Sequence, residues 1–200
     1  MQQPIQASVD AASHMPARES TPDMVRVWDW PLRACHWALA ISVLIAWFTA
    51  STYDSLHRIA GYVVLGLIVF RLAWGLFGTR YSQFRTLRRR LRATPQFLWN
   101  LRRGKTGRYL GLNPAGAAML VTMLLLLAIS AITGWMSTTV RFFGVPWVED
   151  THSYVSDAVL VLAVLHVIGV AAMCVLQREN LVRSMISGWK RRHVFPHKRN

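Results

Sequence analysis

Apolar residues along this chain gather into four long blocks, at about 32–50, 57–77, 114–136 and 153–176, with polar or arginine-rich stretches between them. Within a block the apolar positions run almost without a break instead of recurring on one face. That is the pattern of a helix surrounded by lipid rather than one lying on a water-soluble core. Each block approaches the roughly 20 residues that carry a helix across a bilayer. Inside lipid every backbone N–H and C=O must be bonded within its own segment, so the blocks are predicted to be helices. Residues 115–136 hold no charge, the first block is the shortest, and neither strand alternation nor an internal repeat is present. Residues 1–24 are polar and lack the apolar stretch of a signal peptide, so a disordered tail is expected there. Residues 25–192 are expected to form one transmembrane domain, followed by a basic tail at 193–200. The stretch between the second and third blocks places Phe97, Leu98, Trp99 and Leu101 among its arginines, as an amphipathic helix on the membrane surface would; 178–189 has the same character.

Charge sets the orientation. The chain carries a formal net charge of +14 over 200 residues, of which 53% are hydrophobic. Cations mixed with polar sequence would suggest nucleic acid as partner, but here they sit between apolar blocks, facing anionic lipid. Arg80, Arg85, Arg88, Arg89, Arg90, Arg92, Arg102, Arg103, Lys105 and Arg108 fill the middle loop, and the C-terminal tail is equally basic, whereas Arg141 is the lone cation of 137–151. The positive-inside rule then puts both termini and the middle loop in the cytoplasm. Cys35 and Cys174 are solitary, with no CxxC or CxxCH, which excludes a c-type haem attachment and a thioredoxin-like dithiol.

Candidate chemistry lies in the histidines. His14, His193 and His197 fall in polar tails; His36, His57, His152 and His166 fall in or at the ends of the predicted membrane helices. On alternating helices His57 and His152 take the outer level and His36 and His166 the inner. His166 follows His152 by 14 residues, about 21 Å along the axis and within about 40° of four full turns, so the two share a face. Each level thus draws one histidine from each of two helices, and two opposed imidazoles can supply both axial ligands of a haem iron. Arg71, 14 residues after His57, shares its face at the inner level, where a haem propionate would suit it as counter-ion; snorkelling to the interface is the alternative. Gly61 and Gly169 remove bulk beside His57 and His166, as a flat macrocycle or plain helix packing would require. His57 and His152, read singly, could be no more than solvated helix-end residues. The expected fold is an all-α, four-transmembrane-helix bundle binding two haems.

The motifs VWDWPLRACHWALA, LHRIAGYVVLGLIVFRLAWGLFGTRYSQF, RYLGLNPAGAAM, HSYVSDAVLVLAVLHVIGV and RENLVRSMISGWKR, in that order over about 25–192, resemble the bacterial cytochrome b561 family, which includes the b-type cytochrome subunits of nickel–iron hydrogenases. The resemblance implies a diheme b-type cytochrome passing electrons between a periplasmic donor and the quinone pool. It carries the haem ligands onto His36 with His166 and onto His57 with His152. Leu112 stands where relatives often have His, and Ser153 where they often have Glu, positions that bear on quinone handling or proton uptake. Two haem b are the implied cofactors, with quinone as a further candidate. The implied partners are lipid, quinone, and a periplasmic redox protein or hydrogenase-like subunits, with self-association open. The rival readings are a membrane anchor of an oxidoreductase complex and a histidine-using metal transporter, which would want acids or thiols beside the histidines.

Overall fold

The computed structural model describes residues 24–79, 83–105, 107 and 109–192. The two expected tails therefore lie outside the described residues except for Met24, as do Arg80 and Arg108. Arg26–Lys190 form one compact unit, which carries the architecture below.

Among the described residues four helices are long and apolar enough to cross a membrane. They are α1 (Trp30–Thr49), α2 (Asp54–Phe77), α5 (Pro114–Ser137) and α6 (Pro146–Gln177). Between α2 and α5 a 3-10 turn (Phe84–Thr86) leads into α3 (Leu87–Arg92) and α4 (Thr94–Arg102). After α6 come α7 (Leu181–Ser187) and a short strand, β2 (Trp189–Arg191). Together with β1 (Met24–Arg26) it makes a two-stranded sheet. The sequence reading contained no strand, since three residues are too few to display an alternation.

Capping residues decide where these helices begin. Asp29 accepts from Leu32 N at 3.0 Å and Asn113 from Gly116 N at 2.6 Å, each just ahead of a proline in the first turn. The fourth span starts at Pro146 and not near 153, because Gly144 (φ +69°) and extended Val145 turn the chain into a proline start. Its first two turns, PWVEDTH, are polar helix standing beyond the apolar stretch. Asp157 lies 20 residues before Gln177, about 30 Å along the axis, and is exposed at the outer margin of that stretch.

Packing is unequal around the bundle. α1 lies along α2, α6 along α5, and α2 against α5. Val64 and Ile68 from α2, Leu127 from α5 and Val159 from α6 form the buried core, with Leu39 and Val43 of α1 packed on it. No comparable seam joins α6 to α1 or α2 among the described residues. α6 is therefore held near α1 and α2 by α5 and by side chains, with space left between its backbone and theirs.

The middle segment behaves as an amphipathic surface element. Phe97 is buried against Tyr109, centroids 5.8 Å apart, while Leu98 and Trp99 stay exposed, and Thr94 Oγ1 donates to Pro114 O at 3.0 Å. The guanidinium of Arg90 is pushed below its ordinary pKa by burial and by Arg89 beside it, with Tyr109 opposing. At the other end of the chain, Arg33 Nη1 donates to Ile186 O, and Gly188 O accepts from Val27 N at 2.9 Å and Trp28 N at 3.1 Å. Gly188 sits at φ +87°, where a Cβ would lie 2.7 Å from Trp28 O, so glycine is required at this latch.

Candidate functional site

The four histidines come together in two pairs. His36 of α1 and His166 of α6 have ring centroids 6.2 Å apart; His57 of α2 and His152 of α6 have theirs 6.0 Å apart. Both pairs bridge helices whose backbones do not otherwise pack closely. A metal–imidazole bond of about 2.0 Å on either side, with the ring radii behind it, separates the centroids of two opposed ligands by roughly 6 Å. The spacing of both pairs fits an iron between them.

The outer rings are anchored at the nitrogen that would not face a metal. His57 Nδ1 lies 2.8 Å from Ala46 O, and His152 Nδ1 lies 2.8 Å from Ser130 O. A carbonyl oxygen only accepts, so in each ring Nδ1 carries the proton and Nε2 keeps its lone pair. This is the usual orientation device of a ligating histidine. Although His57 sits in the first turn of α2 and His152 in the second turn of α6, both rings are half-buried and bonded to a carbonyl of a neighbouring helix.

Residues 27–188 match the prokaryotic cytochrome b561 family. The chain belongs to that family. A probable Ni/Fe-hydrogenase B-type cytochrome subunit from Rhodobacter capsulatus is 27% identical over 212 residues, covering 82% of this chain and 80% of the relative. No solved structure matches. The protein is thus a cytochrome b561-like membrane protein related to hydrogenase cytochrome subunits, and membership implies haem as cofactor in general terms.

The donor set of this b561-family chain suits a macrocycle better than a bare ion. Among the described residues no group of three or more His, Cys, Asp or Glu side chains could enclose a metal. Two imidazoles fall two ligands short of a tetrahedral site but provide both axial ligands of an iron whose other four bonds come from a porphyrin. Gly61 and Gly169 have nothing within 4 Å of where a Cβ would stand, leaving open space beside His57 and His166.

Arg71 is 8% exposed, with its guanidinium carbon 4.9 Å from the Phe84 ring centroid and Asp29 and Cys35 within electrostatic reach. It is covered by Phe84 and does not reach out into water as a snorkelling arginine does. Asp29 is a residue that sequence reasoning missed. Besides capping α1 it accepts from Trp74 Nε1 at 3.0 Å and from Thr79 Oγ1 at 2.6 Å, tying the start of α1 to the end of α2. Trp74 thus joins a polar tie near the end of α2. Gly134 was missed as well: a Cβ there would lie 2.8 Å from His152 Cε1. Its signal in the sequence is a glycine one residue before Trp135, near the end of the third apolar block.

Proposed function

We propose that this protein is a diheme b-type cytochrome that transfers electrons across the bacterial inner membrane between a periplasmic partner and the quinone pool. The observation that carries the reading is the meeting of four imidazoles in two opposed pairs, 6.2 and 6.0 Å between centroids, about 21 Å apart along α6. In this reading His36 and His166 hold the inner haem iron and His57 and His152 the outer one. Bound haem b supplies a one-electron couple at each level.

The chain's own residues supply position and environment. Ala46 O and Ser130 O hold the outer rings by Nδ1. Val64, Ile68, Leu127 and Val159 form an apolar layer that excludes water between the two levels. Arg71, tucked beneath Phe84 at the level of the inner pair, would offer its cation to the acidic edge of a haem held there. The arginines of α3 support a cytoplasmic position for that side under the positive-inside rule.

A second reading rests on the R. capsulatus relative, whose name marks it as a subunit: this chain would be the membrane-anchor cytochrome of a hydrogenase-like or other oxidoreductase complex. Both readings share one test. Protein purified from haem-replete cells is expected to be red, with a low-spin Soret band, a b-type reduced α-band and about two haems per chain. A colourless preparation refutes both readings. A phosphatase active only in the periplasm, fused after residue 200, should stay inactive; activity would invert the proposed topology.

A further inference from the structure

The two pairs differ in how their rings are held. Both outer Nδ1 atoms face backbone carbonyls at 2.8 Å. Among the described residues no ring nitrogen of His36 or His166 has such an acceptor; their ring neighbours are Trp37 and each other.

Each outer anchor has its own cause. Ala46 carries one of the last four carbonyls of α1, which have no amide further along the helix to receive. Ala50 N turns back to Trp47 O at 3.4 Å, so Ala46 O, which also accepts from Thr49 Oγ1 at 3.4 Å, is open to His57. Ser130 lies inside α5, and its carbonyl already accepts from Thr133 Oγ1 at 3.1 Å. A second donor reaches it only where the helix surface is bare. Gly134, one turn on, makes it bare: a Cβ there would stand 2.8 Å from His152 Cε1 and 3.0 Å from Nδ1. The Ser130 and Ser156 hydroxyls, 2.8 Å apart, tie α5 to α6 at the same height. A glycine inside a helix costs about 0.5–1 kcal/mol relative to alanine, and the contact with His152 is what offsets it here.

We infer that Gly134 is a positioning residue of the outer site, and that the carbonyl bonds at His57 and His152 make the outer haem the lower in midpoint potential of the two. The inference rests on the ligand assignment proposed above. A carbonyl accepting from Nδ1–H polarises the ring and makes Nε2 a more basic ligand. More basic axial ligands favour the ferric over the ferrous state, which lowers the potential. The inner pair has no such acceptors. One electron leaving ferrous iron at the outer level for ferric iron at the inner level then runs downhill, with no atom or proton moving.

Redox titration of the purified holoprotein, followed optically and by low-spin EPR, tests both halves. His36→Ala, which keeps the outer site, should titrate below His57→Ala, which keeps the inner one. Gly134→Ala should raise the midpoint of the lower component or empty it, leaving the higher component unmoved. Gly66→Ala, at a helix position with open space, should titrate as the wild type. The inference is overturned if His36→Ala titrates level with or above His57→Ala, or if Gly134→Ala leaves both components in place. Should Gly134→Ala not accumulate, the histidine comparison alone decides. A failure of the ligand assignment looks different: neither histidine replacement then removes any component.

Discussion

Replacing either His36 or His166 by alanine should remove the same haem and halve the haem content of the purified protein, while the other spectral component stays intact. His57→Ala and His152→Ala should together show the complementary loss. The expectation comes from the two centroid distances, 6.2 Å for the inner pair and 6.0 Å for the outer. An iron held between two imidazoles from different helices loses one of its six bonds when either ring goes. Gly61 and Gly169, near His57 and His166, carry no side chain that could replace the lost ring. The apolar layer of Val64, Ile68, Leu127 and Val159 separates the levels, so damage at one should not spread to the other. Pyridine haemochrome stoichiometry and low-temperature α-band spectra of the four variants provide the measurement. If His36→Ala instead loses the component lost by His57→Ala, the two levels have been assigned wrongly.

Asp29→Ala should be the most destabilising single change outside the histidines. Its carboxylate holds three groups at once: Leu32 N at 3.0 Å, Trp74 Nε1 at 3.0 Å and Thr79 Oγ1 at 2.6 Å. Loss of an N-cap costs about 1 kcal/mol. Each hydrogen bond to a charged group contributes about 1.5 kcal/mol or more. Arg71, buried nearby, also loses an opposite charge within reach. Together these come to roughly 4 kcal/mol, or an apparent melting temperature lower by on the order of 10 °C in detergent. Asp29→Asn keeps an acceptor for the cap and should fall between the two. A melting curve for Asp29→Ala within about 2 °C of wild type would show that the tie between α1 and α2 contributes little.

Four membrane-length helices were legible in the sequence, because lipid demands uninterrupted apolar residues and nothing else in a short chain satisfies that demand. Helix ends were less so. Apolar run length measures the thickness of the lipid, whereas α6 continues outward to a proline start at Pro146 that only its flanking Gly144 and Val145 announce. The sorting of His36, His57, His152 and His166 into two levels followed from a rise of about 1.5 Å per residue along alternating helices, and the structure brings together the same partners.

Rotation about each helix axis and the choice of neighbours were decided by packing, for which a lipid-facing sequence carries little pattern when it is apolar all round. That is why α5, with no histidine of its own, could not be recognised as the support of the outer site. Its Ser130 carbonyl and its bare Gly134 matter only once α6 lies against them. Likewise Asp29 reads as an ordinary cap until Trp74 and Thr79 arrive from 45 and 50 residues away. Depth along a helix is written in the chain, since it depends on counting residues. Which atoms meet across the gap between helices depends on how those helices turn toward one another, and the tertiary structure alone decides that.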